Sequence, residues 1–76
     1  MQYPKLKELL QDVKYKENLS YSKLAKELGV HKNVIYSWFN GLRFPRAASI
    51  LPLSYAIYKN KRLARQLAFK ILEVSI

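Results

Sequence analysis

Leu19 to Pro45 reads LSYSKLAKELGVHKNVIYSWFNGLRFP, and this stretch decides the fold. Ser20 suits a helix N-cap, because its hydroxyl can accept one of the backbone N–H groups left free in a first turn. Leu19 before the cap and Leu24 inside the helix have the spacing of a hydrophobic staple. Leu24, Ala25 and Leu28 form the buried face of that helix. Alanine suits a point where two helices cross closely. Gly29 ends the helix in a left-handed conformation that costs glycine no Cβ clash.

The pattern then repeats. Val30 and Ile35 take staple spacing around a cap position held by His31. Ile35, Trp38, Phe39 and Leu42 recur at i, i+3, i+4, i+7 and are expected to face inward. Asn33, Tyr36, Ser37 and Asn40 follow the same spacing on the other side, with Lys32 beside them. Gly41 is the stop, and Arg43-Phe44-Pro45-Arg46 is a basic connector. Two short helices joined across one glycine read as a helix-turn-helix over residues 20–41.

Outward from this segment the chain predicts three more helices, making an all-α, compact five-helix bundle over residues 1–76 as a single domain. In the first, Pro4 suits the opening turn. Leu6, Leu9, Leu10 and Val13 line one side, Lys5, Glu8, Asp12 and Lys16 the other, and Glu17-Asn18 closes the helix. A fourth helix is expected to begin at Ser49 as cap. Pro52 then falls in its first turn, where a missing N–H costs nothing, and Leu53, Ala56 and Ile57 face the core. Asn60 separates it from a fifth helix over 62–74. There Leu63, Leu67, Ile71 and Val74 make one stripe, and Phe69, Leu72 and Ile76 extend beyond it. That surplus apolar surface predicts a homodimer through the C-terminal helix, unless Phe69 folds back on the first helix.

Charge narrows the function. Fourteen Lys and Arg stand against five acids, a net charge of +9. The acids are Glu8, Asp12, Glu17, Glu27 and Glu73, so residues 29–72 hold none, while eight Lys and Arg fall within them. A basic field confined to part of a domain is the footprint expected for a polyanion. The chain has no cysteine, which excludes a disulfide framework and a thiolate metal site. One histidine alone makes no metal site, no nucleophile–base pair or glycine-rich phosphate loop is visible, and Glu8 and Asp12, one turn apart, read as solvated charges. Neither enzyme nor cofactor is expected. The opening MQYPKLKELL lacks a secretory apolar core. Leu63 to Ile76 is too short and too charged to span a bilayer. The expected location is cytoplasmic and nucleoid-associated.

The side chains on the second short helix suit double-stranded DNA. An α-helix fits the major groove of B-form DNA, where each base pair shows its own donor and acceptor pattern, and residues near the helix N-terminus reach the base edges. Lys32 can donate to guanine, Asn33 has the paired donor and acceptor that suit adenine, Ser37 allows close approach, and Tyr36 can pack on a sugar or methyl group. These four are the candidate base-reading residues. Tyr21 and Ser22 open the preceding helix, where free N–H groups and the positive dipole end favour a phosphate. His31, Asn40, Arg43 and Arg46 are the remaining phosphate candidates, and Lys23 and Lys26 stand behind them.

Leu24-Ala25, Leu28-Gly29-Val30, Ile35 and Phe39-Asn40-Gly41 together resemble the phage lambda repressor-like family, also called the Cro or XRE-type helix-turn-helix. The resemblance covers Leu19 to Ile57. It implies a five-helix bundle in which the positions of Lys32, Asn33 and Ser37 read bases and those of Tyr21 and Asn40 touch phosphates. The chain departs from the family at three places. Tyr21 replaces a frequent glutamine that braces the recognition helix, His31 replaces the usual Ser or Thr cap, and Pro52 falls where relatives continue the fourth helix. The function expected is a sequence-specific regulator of transcription, a repressor that occupies a promoter or operator. A DNA-targeting domain of a recombinase, transposase or nuclease system fits the same residues. A protein- or membrane-surface module, resting on the basic amphipathic last helix, is a third reading.

Overall fold

The computed structural model describes residues 2–75. They form five α-helices and no strand: α1 (Pro4–Glu17), α2 (Tyr21–Leu28), α3 (Lys32–Phe39), α4 (Ala47–Tyr58) and α5 (Lys61–Glu73). They enclose one core within a globule of 28 × 26 × 24 Å. α3 lies against α2 and α1, α2 reaches across to α4, and α4 and α5 make the most extensive helix pair. One side of α3 remains uncovered.

Local chemistry sets most boundaries. Pro4 opens α1, and Asn18 closes it in the left-handed conformation at φ 52°. The Ser20 hydroxyl accepts from the Lys23 N–H at the start of α2, and Gly29 ends it at φ 68°. His31 caps α3 through Nδ1, which accepts the Asn33 N–H at 3.1 Å. This acceptor role leaves the ring proton of the neutral imidazole on Nε2, away from the helix. Lys59 closes α4 at φ 55°, and the Asn60 side chain caps α5 by accepting the Leu63 N–H at 3.2 Å. Asn60, expected to separate helix four from helix five, thus shares that task with Lys59. Lys59 also pairs with Glu27 at 3.1 Å, tying this corner to the end of α2.

The core is built from Leu6, Leu10, Leu24, Ala25, Ile35, Phe39, Ile50, Leu53, Ile57, Leu67 and Ile71 with their neighbours. Its one buried polar side chain among the described residues, Ser54, donates to the Ile50 carbonyl at 2.8 Å and so meets no desolvation penalty.

Three expectations are corrected. Helix four does not begin at a Ser49 cap. It begins at Ala47, after Arg46 as N-cap with no side-chain cap bond, so Pro52 lies inside it. Ala47 and Ala48 are the strongest helix formers. Starting there also places Ile50, Leu53, Ser54 and Ile57 on one buried stripe. The cost is a missing N–H opposite the Ala48 carbonyl. Replacing the exposed Pro52 with alanine restores that bond, offset in part by a freer unfolded chain. A gain of about 2 kcal/mol is expected, read as a rise of the thermal midpoint by more than about 5 °C.

Leu42 does not face inward: it is 47% exposed. α3 ends at Phe39, and Gly41 at φ 68° turns the chain before the helical period can carry Leu42 back to the core. In α5 the buried stripe is Ala64, Leu67, Ala68 and Ile71, and Leu63 lies outside it. Two alanines permit close approach to α4, and that rotation of the helix turns Leu63 outward. Phe69 does not fold back on α1; it is 65% exposed, with Leu72 on the same open side. Ile76 falls outside the described residues. No helix among them is long and apolar enough to cross a membrane.

Candidate nucleic-acid interface

The uncovered side of α3 carries Lys32, Asn33 and Tyr36, all exposed, with Ser37 and Asn40 half-buried at its edges. Ile35, Trp38 and Phe39 on the other side hold it down. Eight residues of helix extend about 12 Å, enough to span the width of a major groove. Lys14, Ser20, Tyr21, Ser22, Lys32, Asn33 and Tyr36 line an open groove of about 580 Å³ between the first turns of α2 and α3. Both helix N-termini therefore deliver partial positive charge to one depression, with two lysines on its rim.

Arg43 and Arg46 follow α3, and both are exposed. Among the described residues the ion pairs are Lys16–Asp12 and Lys59–Glu27, so Lys32, Arg43 and Arg46 remain uncompensated. The exposed Ser22 hydroxyl adds a donor to the depression, and the exposed His31 ring stands at the start of α3. Of the expected base-reading and phosphate-contacting residues, Tyr21, Ser22, Lys32, Asn33 and Tyr36 thus line one depression, while His31, Ser37, Asn40, Arg43 and Arg46 lie outside its lining, and only some of them keep their polar atoms free.

Ser37 donates its hydroxyl to the Val34 carbonyl at 2.8 Å, leaving its oxygen as an acceptor. Asn40 turns its amide nitrogen inward, giving one N–H to the Tyr36 carbonyl at 2.9 Å and reaching the Tyr21 hydroxyl at 3.5 Å. Its outward atom is an oxygen, which a phosphate repels. A phosphate contact at Asn40 would instead use a rearranged side chain.

Tyr21 is the most altered of the predicted residues. Its ring is half-buried and meets Phe39 and Tyr36 edge-on, with centroids at 5.4 and 5.8 Å. Lys14 sits 5.2 Å from its centroid on another side. The hydroxyl oxygen accepts from Gln11 Nε2 at 3.2 Å and from Asn40. Its own proton meets no protein acceptor among the described residues and remains for a ligand. Tyr21 therefore braces α3 from the first turn of α2.

Two contributors were missed from the sequence. Lys14 looked like one charge among many on α1, and nothing local marks its approach to Tyr21. Gln11 left a faint signal, as the one uncharged amide on a helix whose other polar side chains are mostly Lys, Asp and Glu. No protein-family model, curated protein or solved structure matches this chain.

Proposed function

We propose that this chain is a sequence-specific double-stranded DNA-binding protein of the helix-turn-helix type, similar to lambda repressor-like proteins, with α3 seated in the major groove. The carrying observation is the uncovered polar face of α3, anchored from behind by Ile35, Trp38 and Phe39 and flanked by unpaired cations. A stretch from 29 to 72 without an acid keeps that surface attractive to a polyanion. Lys32 and Asn33, in the first turn of α3, read base edges; Tyr36 and Ser37, one turn later, add contacts to a methyl group, sugar or base.

The phosphates on one flank meet the Tyr21 hydroxyl proton, Ser22 and the N–H groups of the first turn of α2. His31 Nε2 joins them, and Arg43 and Arg46 grip the strand beyond α3. These contacts fix register without reading sequence. Steric occupation of a promoter or operator then gives repression, with no catalysis or cofactor. Exposed Phe69 and Leu72 on α5 support a homodimer, which doubles the site length available to so small a reader.

Selection from random duplexes, followed by affinity measurement over a salt series, tests this reading. Log affinity is expected to fall linearly with log salt, at a slope of about −0.9 for each phosphate neutralised. The selected sites should be near-palindromes with half-sites roughly one helical turn apart. Lys32→Ala and Asn33→Ala should each cost about 1–3 kcal/mol on the selected site and little on random duplex. Equal losses on both would reassign these residues to the backbone. Failure to select any duplex would overturn the proposal.

A further inference from the structure

The last four carbonyls of a helix have no partner within it, and α3 shows where each of its own goes. The Tyr36 carbonyl takes the Asn40 backbone N–H at 3.0 Å, and Ser37 takes Leu42 at 2.8 Å. Trp38 takes Gly41 at 3.1 Å. The Phe39 carbonyl takes the Gln11 side chain at 2.8 Å, from a helix 28 residues earlier in the chain. Among the described residues no other donor reaches it. The same Gln11 nitrogen gives its second hydrogen to Tyr21, at the head of α2. One amide group thus ties the tail of α3 and the start of α2 to α1.

We propose that Gln11 is a positioning residue for DNA reading: it fixes the pose of α3 relative to the phosphate-facing end of α2, and through that pose sets sequence discrimination. This rests on the DNA-binding reading of α3. α3 is held by a single apolar face, and Ile35, Trp38 and Phe39 resist its lifting more than its rotation about its own axis. A directional bond at the far end of the helix resists that rotation. Base recognition by Lys32 and Asn33 depends on the angle at which they enter the groove, whereas flexible phosphate contacts by Arg43 and Arg46 do not. Gln11 also aligns Tyr21: by donating to the hydroxyl oxygen, it leaves the hydroxyl proton as the group available to a phosphate. The chain Phe39 C=O, Gln11, Tyr21, Asn40, Tyr36 C=O spans about the last turn of α3 and couples its tail to the α2 end of the groove.

The test uses the full chain. Gln11→Met keeps length and volume but removes both donors. Gln11→His, measured at pH 8 where an ordinary imidazole is mostly neutral, returns one N–H at similar reach. Folding is first verified by circular dichroism at the assay temperature. In Gln11→Met the ratio of selected-site to random-duplex affinity is expected to fall roughly threefold to tenfold, the net worth of about one hydrogen bond. Affinity for random duplex should change less than about twofold. Gln11→His should recover part of the ratio.

A readout without DNA accompanies it. In Gln11→Met, amide exchange of Asn40 to Arg43 should quicken more than that of α4 and α5. An unchanged affinity ratio, or acceleration spread evenly over all helices, overturns the positioning role. If the unaltered protein discriminates among duplexes and Gln11→Met does so equally well, this inference alone fails. If the unaltered protein binds no duplex, the DNA-binding reading fails and takes this inference with it.

Discussion

Phe39→Ala is expected to remove a large share of the protein's stability at room temperature. Phe39 has no exposed surface and is the largest of the fully buried side chains. It packs edge-on to Tyr21 and anchors α3 between α1 and α2. Truncating a buried phenylalanine costs about 3–5 kcal/mol, through lost transfer energy and the cavity left behind. A domain of this length has a total stability of about 4–11 kcal/mol, so the loss consumes a large share of it. Helix α3 is too short to persist without tertiary packing. Urea titration followed by far-ultraviolet circular dichroism should show the midpoint moved to low denaturant with little change in slope. A loss under about 1 kcal/mol would mean that α3 is not seated on the core as described.

The second large effect distinguishes two glycines with the same backbone conformation. Gly29 and Gly41 both have φ of 68°, where an L side chain is strained by about 1–2 kcal/mol. A Cβ at Gly29 would meet nothing within 4 Å, so Gly29→Ala costs that strain alone. At Gly41 it would lie 2.5 Å from the Tyr3 carbonyl oxygen and 3.1 Å from Lys7 Cβ. The Tyr3 oxygen is backbone and cannot step aside cheaply. It accepts the Lys7 N–H at 3.0 Å in the first turn of α1, and the Tyr3 N–H donates to the Gly41 carbonyl at 2.7 Å. Gly41→Ala therefore also breaks this clamp and disturbs the edge-on contact of Tyr3 with Phe44. We expect a total loss of about 2–4 kcal/mol, the backbone strain plus at least one buried hydrogen bond. Thermal unfolding of the two variants side by side measures the difference. Equal midpoints would show that the start of α1 does not close over the turn after α3.

The clamp at Gly41 also concerns the proposed interface. Arg43 follows the turn by two residues and Arg46 is the N-cap of α4, so the connector carrying both is anchored at Gly41 and at the buried Pro45. The arginines extend from a fixed backbone although their side chains are free. Phosphate contact in the proposed complex then combines side-chain reach with a rigid origin, an arrangement that lowers the ordering cost of binding.

Much of the architecture was written locally. Ser20, His31 and Asn60 mark helix starts because each side chain reaches a backbone N–H two or three residues ahead. Gly29 and Gly41 mark stops because no other residue enters the left-handed region so cheaply. Leu6, Leu10, Val13 and Ile35, Trp38, Phe39 reach the core because a period of 3.6 residues brings them to one side. The outward placement of Lys32, Asn33 and Tyr36 is the complement of that same period.

Other features followed from packing between distant segments. The start of α4 was misplaced because a cap rule treats Ser49 and Pro52 alone, while the need to bury Ile50 acts across the whole helix. The rotation of α5 depends on how closely Ala64 and Ala68 allow α4 to approach, a distance no spacing rule contains. Gln11 joins Phe39 only after α1 and α3 have docked, 28 positions apart in sequence. The chain by itself determined five helices, the caps of α2 and α3 and the side of α3 that faces solvent, because these depend on bonds and periodicities within a few residues. Tertiary structure alone decided which polar atoms on that side stay free for a ligand, because a hydrogen-bonding group is claimed by whichever neighbour folding brings within about 3 Å of it.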